Sequence, residues 1–194
     1  MADTIARSEL ILGGQRSGKS RRAELLARSW LEQSPGHEAV LIATGQPWDD
    51  EMRARIARHQ LDRAERVPGM RTVEEPLSLP EALASCSNPH TIVVVDCLTL
   101  WLTNQLMPAE NNESNKPLRQ PLRGLHAMLS GAIASVAGPV ILVSNEIGLG
   151  VIPMGRETRD FVDALGRLNQ DVASACERVT FMAAGLPLIL KDLP

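Results

Sequence analysis

The stretch Leu10-Ile11-Leu12-Gly13-Gly14-Gln15-Arg16-Ser17-Gly18-Lys19-Ser20 decides the fold of this chain. A short apolar run leads into a segment, 13–20, that fits the pattern GxxxxGK[ST], and a helical apolar stripe follows it. Strand, glycine-rich loop and helix in this order are typical of a phosphate-binding loop. The glycines at 13 and 18 let the backbone wrap an anion, and the loop amides and the helix N-terminus then face its oxygens. The stretch therefore predicts a loop that holds the phosphates of a purine nucleoside triphosphate.

Three side chains are predicted to act on these phosphates and on their metal ion. Lys19 is placed to contact the β- and γ-phosphates, and the Ser20 hydroxyl is placed to ligate Mg²⁺. A second metal anchor is expected at the carboxyl end of a neighbouring strand, and Asp96 ends Thr91–Val95, the most hydrophobic run of the chain. Two plainer interpretations stay open, a glycine-rich turn capped by Ser20 and Asp96 as the N-cap of a helix.

Apolar segments elsewhere in the chain predict the fold class. Short runs without polar alternation suit strands that are buried on both faces of a parallel sheet. These runs are Leu10–Leu12, Ala39–Ala43, Thr91–Val95, Val140–Ser144 and Val179–Ala183. Helical stripes that begin at Ala23, Leu118 and Phe161 lie between them. The alternation predicts one α/β domain, residues 1–194, with a mostly parallel sheet and helices on both faces.

Three further segments refine this interpretation. Pro187–Lys191 can add a last edge strand, antiparallel to the preceding one through a turn at Gly185. Pro108–Pro121 is polar and is typical of a mobile surface loop. Asn145-Glu146 follows an apolar run, so it places polar groups at the edge of the sheet where ligands of open α/β folds bind.

The composition excludes several classes of function. A net charge of −3 gives no overall attraction to nucleic acid or to an anionic membrane, and no apolar run approaches a membrane span. Aromatic residues make up only 3% of the chain, which disfavours a base-stacking surface. The cysteines 86, 97 and 176 lie far apart, so neither disulfides nor a zinc site is indicated. With no signal-peptide pattern in Met1–Ser8, we expect a cytoplasmic protein without a nucleic-acid or membrane partner.

A basic helix with one histidine is predicted to follow the second strand. Asp49-Asp50-Glu51 comes after Pro47 and places acids at the positive end of a helix. Met52, Ile56 and His59 share a face of this helix, and arginines at 53, 55, 58, 63 and 66 surround that face. On these residues alone, both a structural and a catalytic role of the histidine stay open.

The whole set of motifs resembles the bifunctional adenosylcobinamide kinase/adenosylcobinamide-phosphate guanylyltransferase family of cobalamin biosynthesis, from Leu10 to Lys191. The phosphate loop is shared with many nucleotide-hydrolysing proteins. The segments Asp49-Asp50-Glu51-Met52 with Arg58-His59, and Asn145-Glu146-Ile147-Gly148-Leu149-Gly150, are more specific. Further matches are Ile42-Ala43-Thr44, Arg71-Thr72-Val73-Glu74, Asp96-Cys97-Leu98-Thr99 and Gly166-Arg167-Leu168-Asn169-Gln170.

The resemblance implies both an activity and a set of site residues. It implies phosphorylation of adenosylcobinamide by ATP or GTP, followed by transfer of GMP from GTP through a guanylylated histidine, which falls on His59. It also implies a RecA-like sheet, Mg²⁺ with the nucleotides, and a homotrimer. Its nucleotide contacts fall on Ala43, Thr44, Gly45, Gln60, Leu61, Asp62, Arg63, Glu74 and Asp96.

This sequence departs from the family pattern at two places. The segment Arg63–Arg71 is about three residues longer than usual, and Met70 stands where a tryptophan is common. Asp96 stands where many members have glutamate. Two other functions stay open, a plain P-loop small-molecule kinase in which His59 is structural, and a RecA-like switch ATPase in which hydrolysis drives a conformational change.

Overall fold

The computed structural model describes residues 4–107, 122–151 and 153–193, and the predicted loop Pro108–Pro121 lies outside them. One seven-stranded sheet organises these residues. Its strands are β1 (Ser8–Gly13), β2 (Glu38–Ala43), β3 (Arg71–Glu74), β4 (Thr91–Asp96), β5 (Val140–Val143), β6 (Arg178–Ala183) and β7 (Leu186–Asp192). The helices are α1 (Lys19–Gln33), α2 (Asp50–Arg66), α3 (Leu79–Cys86), α4 (Leu98–Leu106), α5 (Leu122–Ser135) and α6 (Arg156–Ala175).

The strands follow the order β3-β2-β4-β5-β1-β6-β7 across the sheet. All neighbouring pairs from β3 to β6 are parallel, and β7 alone among these strands runs antiparallel, against β6. The carboxyl ends of β1, β2, β3, β4 and β5 therefore meet at one edge. The predicted mostly parallel α/β sheet is confirmed, as is the antiparallel edge strand. The assignment of 1–194 to one domain stays a prediction.

Helices cover both faces of the sheet, because alternate side chains of the buried strands point to opposite faces. On one face, Leu10, Val93 and Leu142 pack with α3, α4, α5 and α6. On the other face, Ile11, Val94 and Ile141 pack with α1. The apolar runs that lack polar alternation are thus strands with two buried faces, as the sequence predicted.

The last two strands form a tight hairpin at the turn that the sequence placed at Gly185. Ala184 and Gly185 occupy its two central positions with φ angles of 51° and 80°. Positive φ at both positions is the geometry that two-residue hairpins prefer, because its twist matches that of the strands. The Gly185 amide donates a hydrogen bond to the Ser17 carbonyl at 3.0 Å, so the hairpin supports the phosphate loop.

Three elements were not predicted from the sequence. Strand β3 is a four-residue edge strand, and only Val73 of its residues is partly buried, so it carries no apolar run. Helix α3 has eight residues and begins Leu79-Pro80, and helix α4 has nine residues that directly follow Asp96-Cys97. Both helices are only a little over two turns long, so the buried apolar stripe of each is brief and gives a weak signal in the sequence.

We predict that Gly138→Ala destabilises the fold by about 1–3 kcal/mol through overpacking. Gly138 precedes β5, and a Cβ there would lie 2.2 Å from the Asn88 carbonyl oxygen and 2.5 Å from that of Thr91. Both obstacles are backbone atoms, so a rotamer change cannot relieve them. Urea denaturation followed by circular dichroism measures the difference.

The matched control for this substitution is Gly131→Ala. Gly131 lies within α5, and an added Cβ meets no heavy atom within 4 Å. Alanine should therefore stabilise the protein by about 0.5–1 kcal/mol, because it reduces the freedom of the unfolded chain. Equal stabilities of the two variants would contradict the packing assigned to the segment before β5.

Candidate nucleotide site

The phosphate loop begins where the central strand β1 ends at Gly13. Gly13 has a φ angle of 151°, and a Cβ there would lie 2.5 Å from the Met182 carbonyl oxygen and 2.7 Å from Ser17 Oγ. Gly18 is the N-cap of α1 with a φ angle of 101°. Both glycines are therefore required by the conformation of the loop, which delivers the chain into the N-terminus of α1.

Lys19 lies at the mouth of this loop and is only 7% exposed. Its Nζ donates a hydrogen bond of 2.7 Å to the Gly14 carbonyl. Burial lowers the pKa of the Lys19 ammonium below its ordinary value, while the nearby Asp96 carboxylate favours the charged form. A poorly hydrated cation at a helix N-terminus is suited to anionic phosphate oxygens, which are stronger acceptors than a carbonyl.

Asp96 ends β4 at the same edge of the sheet and is partly exposed. The N-cap of the following helix is Cys97, and no side chain caps that helix. The structure therefore contradicts the alternative in which Asp96 caps α4. The Asp96 carboxylate is therefore available for a ligand at this edge of the sheet.

A cleft of about 250 Å³ opens on this edge between the phosphate loop, α2 and β3. Eight residues that the sequence singled out line it together: Ser20, Ala43, Gly45, His59, Gln60, Arg63, Glu74 and Asp96. Eight of the residues that line it with them were not among the predicted contacts: Pro47, Met52, Arg53, Arg55, Ile56, Thr72, Cys97 and Leu100. Residues from five separate segments of sequence thus share one cavity wall.

Of the nucleotide contacts that the resemblance implied outside the phosphate loop, three do not line this cleft. Thr44 is fully buried, and its hydroxyl donates to the Cys97 carbonyl at 2.7 Å and accepts from the Cys97 amide at 2.9 Å. Thr44 therefore fixes the segments after β2 and β4 against each other. Leu61 is exposed, and Asp62 pairs with Arg66 at 3.0 Å, on other faces of α2.

The phosphate loop also borders a second groove, on the far side of α1. This groove of about 950 Å³ is lined by Arg16, Ser17 and Gly18, by α1 and by the β6–β7 hairpin. The loop residues Gly14 and Gln15 are exposed and line neither cavity. The predicted loop residues therefore do not all face the cleft that contains His59.

His59 is exposed on α2 and lines the cleft. Helix α2 has no buried residue, so the histidine is not part of the core. The helix begins with Asp49 as its N-cap, whose carboxylate accepts from the Met52 amide at 2.7 Å. Arg66 near its other end pairs with Glu24 of α1 and therefore lies away from the cleft, although the sequence grouped it with the arginines around His59.

The longer segment after Arg63 continues α2 and then turns back into β3. Arg63 donates to the Thr72 hydroxyl at 3.3 Å and so links the helix to that strand. Val67 is buried beneath the turn, and Gly69 has a φ angle of 88° within it. The segment returns the chain so that His59 and Glu74 line the same cleft.

Cys97 is the other residue of the cleft that could act as a nucleophile. Burial, with the Asp96 carboxylate next in effect, raises the pKa of its thiol to about 11. The thiolate is the nucleophilic form, so this group is unreactive near pH 7. His59 is thus better placed than Cys97 for nucleophilic attack.

Ser20 and Asp96 are the residues that fit a metal ion carried by a nucleotide. The Ser20 hydroxyl and the Asp96 carboxylate belong to residues that line the same cleft. Mg²⁺ commonly takes one or two protein oxygens and completes its shell with phosphate and water. Within the described ranges no group of three or more His, Cys, Asp or Glu side chains could hold a metal alone. The donor set therefore suits a metal that arrives with phosphates.

A polar cluster lies at the end of β5, where the sequence pointed to Asn145-Glu146. The Asn145 amide and side chain both donate to Thr99 Oγ1, at 3.0 and 3.2 Å. Asn169 of α6 donates to the Asn145 carbonyl at 3.0 Å, and its own Oδ1 is buried with no partner in the described structure. Asn169 is a polar residue within the apolar stripe of α6. This interruption of the stripe could have identified it from the sequence as a candidate site residue.

The sequence profile of the CobU family, described as cobinamide kinase / cobinamide phosphate guanyltransferase, matches residues 9–190. A curated relative from Pseudomonas aeruginosa, the bifunctional adenosylcobalamin biosynthesis protein CobP, is 47% identical over 96% of this chain and 98% of its own length. The corresponding CobU protein of Escherichia coli is 34% identical over 94% of this chain and 98% of its own length.

A solved structure shares the fold at much lower identity. A protein from Pyrococcus horikoshii matches 99% of this chain and 89% of its own length, with 12% identity and a TM-score of 0.53. None of the helices among the described residues is long and apolar enough to cross a membrane. The profile match over nearly the whole length, together with relatives at 47% and 34% identity, shows that this chain belongs to the cobinamide kinase / cobinamide phosphate guanyltransferase family.

Proposed function

We propose that this protein phosphorylates adenosylcobinamide and then guanylylates the product through His59. The observation that carries the proposal is the cleft that His59 lines together with Ser20 of the phosphate loop and Asp96 of β4. One loop can thus serve two reactions of a nucleoside triphosphate, at its γ- and at its α-phosphate. Family membership supports both activities, and the geometry supports the assignment of residues.

In the kinase half-reaction, the aminopropanol hydroxyl of adenosylcobinamide attacks the γ-phosphate of ATP or GTP. Lys19 and the loop amides hold the phosphates and stabilise the charge that develops on their oxygens. Ser20 and Asp96 would hold Mg²⁺, which supplies further charge neutralisation when bound. Because Lys19 is nearly buried, its charge acts in a weakly screened environment.

In the guanylyl half-reaction, the neutral imidazole of His59 attacks the α-phosphate of GTP and pyrophosphate leaves. The phosphate of adenosylcobinamide phosphate then attacks the guanylylated imidazole and releases adenosylcobinamide-GDP. A covalent intermediate divides one difficult displacement into two easier ones. Imidazole suits this role because it is nucleophilic near pH 7 and leaves readily. Arg55 and Arg63 line the same cleft and are placed to hold the triphosphate.

The two alternative functions are less well supported. A plain kinase with a structural His59 would place this histidine in the core or in a hydrogen-bond network, yet it is exposed in the cleft. A switch ATPase needs no histidine near the phosphate loop. Stable transfer of GMP to the protein separates the proposed function from both alternatives.

We predict that wild-type protein with α-³²P-GTP and Mg²⁺ retains label after denaturing electrophoresis, and that His59→Ala abolishes the label. With γ-³²P-GTP no label should remain, because pyrophosphate departs. The bond should be labile in acid and stable in base, as a phosphoramidate is.

The matched control is His90→Ala, since His90 is exposed and lies just before the amino end of β4, whereas the cleft lies at the carboxyl ends of the strands. This variant should label at the wild-type rate. Undiminished labelling of His59→Ala would place the nucleophile elsewhere. Absence of label from a wild-type protein that binds GTP would favour the plain kinase.

We predict that Asp96→Asn raises the Mg²⁺ concentration for half-maximal turnover by about tenfold or more, because a charged metal ligand is lost. The substitution leaves the side-chain volume nearly unchanged, so the melting temperature of the variant should stay close to that of wild type. Titration of Mg²⁺ in both half-reactions measures the effect, with Asp163→Asn, exposed on α6, as the control. A lower melting temperature with unchanged Mg²⁺ dependence would assign Asp96 a structural role.

We further propose that the protein forms a homotrimer and acts in the cytoplasm. The edge strand β7 exposes Leu186, Leu188, Ile189 and Leu190, and unpaired apolar edge strands tend to be covered by a partner. The three cysteines are free and buried, as a reducing compartment permits. No partner other than nucleotides and the corrinoid substrates is needed.

We predict that Leu188→Glu converts the trimer into monomers, because the charge would have to be desolvated on β7. Light scattering after size exclusion measures the mass. The control is Met128→Glu, an exposed apolar position on α5, which should leave the trimer intact. A monomeric wild-type protein would refute the trimer without affecting the assignment of His59.

A further inference from the structure

A second carboxylate, that of Glu146, lies beside the phosphate loop just after the end of β5. Strand β5 is placed between β1 and β4, so the residues that follow it lie between the loop and Asp96. The Ser144 amide donates to the Ile11 carbonyl at 3.0 Å, and the Glu146 amide donates to the Gly13 carbonyl at 3.1 Å. Glu146 is therefore attached to the first residue of the phosphate loop.

The surroundings of Glu146 fix the direction of its side chain. Asn169, only 3% exposed, donates from Nδ2 to the Asn145 carbonyl at 3.0 Å and lies 3.4 Å from Glu146 Oε2. A Cβ at Gly148 would lie 3.4 Å from Glu146 Oε1, so a glycine leaves that oxygen uncovered. Glu146 is partly exposed, and residues 147–150 after it are exposed. One oxygen of this partly exposed carboxylate contacts Asn169, and the other lies beside a glycine.

Lys19 marks where the terminal phosphates bind. Its Nζ bonds the Gly14 carbonyl, one residue from the Gly13 carbonyl that receives the Glu146 amide. Asp96 faces the cleft with Ser20 and His59, where it suits the nucleotide's metal ion. A metal-bound carboxylate is a poor proton acceptor, so Asp96 does not fill that role. Glu146 is attached to the loop one residue from the carbonyl that Lys19 contacts, and it has no cation among the described contacts.

We propose that Glu146 is the catalytic base of the kinase half-reaction; this inference rests on the proposed kinase function. The hydroxyl oxygen of the alcohol forms a bond to the γ-phosphorus while the bond from that phosphorus to the β–γ bridging oxygen breaks. The nucleoside diphosphate leaves with the electron pair. The hydroxyl proton passes to the Glu146 carboxylate and then to solvent. Asn169 acts through Glu146 as a positioning residue.

The test measures both half-reactions on Glu146→Gln, which keeps the shape and removes the proton acceptor. Transfer from γ-³²P-ATP to adenosylcobinamide should fall about 10²-fold or more in kcat, with KM for ATP changed less than about threefold. Labelling of the protein by α-³²P-GTP should keep its wild-type rate. Glu146→Asp should recover part of the kinase rate. Glu157→Gln, an exposed acid in the first turn of α6, is the control.

Each outcome decides the inference. Selective loss of the kinase rate, with α-label and melting temperature retained, supports it. An unchanged kinase rate in Glu146→Gln overturns it and leaves the proposed function standing. Parallel loss of both half-reactions and of melting temperature assigns Glu146 a structural role and also overturns it. No kinase activity in the wild-type protein, with Lys19→Ala as the inactive reference, would instead refute the proposed kinase function itself.

Discussion

The turn at Gly13 is the constraint on which the site depends. Strand β1 pairs with β5 on one side and β6 on the other, so its position is set along its whole length. At its end the chain must pass between the Met182 carbonyl oxygen and Ser17 Oγ, in a space that admits no Cβ. The same Gly13 carbonyl receives the amide of Glu146. Gly13 thus contacts three parts of the site: the phosphate loop, strand β6 of the hairpin and the residues after β5.

The two sides of the cleft are held by different forces. Asp96 and the phosphate loop rest on buried strands, and their positions follow from the sheet register. Helix α2, which carries His59, has no buried residue and is held by its N-cap, by Arg63 on Thr72 and by Arg66 on Glu24. Segments with little apolar burial open at lower free energy than the core. The side with the proposed nucleophile is therefore the side that can adjust between reactions.

Most of the fold that could be predicted from the sequence was predicted from its buried apolar runs. Thr91–Asp96 and Val140–Val143 are buried on both faces, so composition alone identifies them as strands. Strand β3 escaped prediction because its position comes from pairing with β2 at the sheet edge, and its sequence has no apolar run. Thr44 was expected at the nucleotide, yet its hydroxyl satisfies the Cys97 backbone. Thr44 and Cys97 are 53 residues apart in the sequence, so no local sequence pattern predicts their contact.

The placement of the two carboxylates explains how one loop can serve two reactions. Asp96 lines the cleft with Ser20 and His59, and Glu146 lies between Asp96 and the phosphate loop, where it contacts Gly13 and Asn169 of α6. In the proposed mechanism, a triphosphate on the loop meets His59 as the nucleophile across the cleft and Glu146 as the proton acceptor beside Gly13. In the proposed mechanism, one phosphate loop serves both half-reactions, so phosphoryl transfer and guanylyl transfer follow each other. The corrinoid must then meet the loop twice, first as an alcohol beside Glu146 and then as a phosphate that reaches His59.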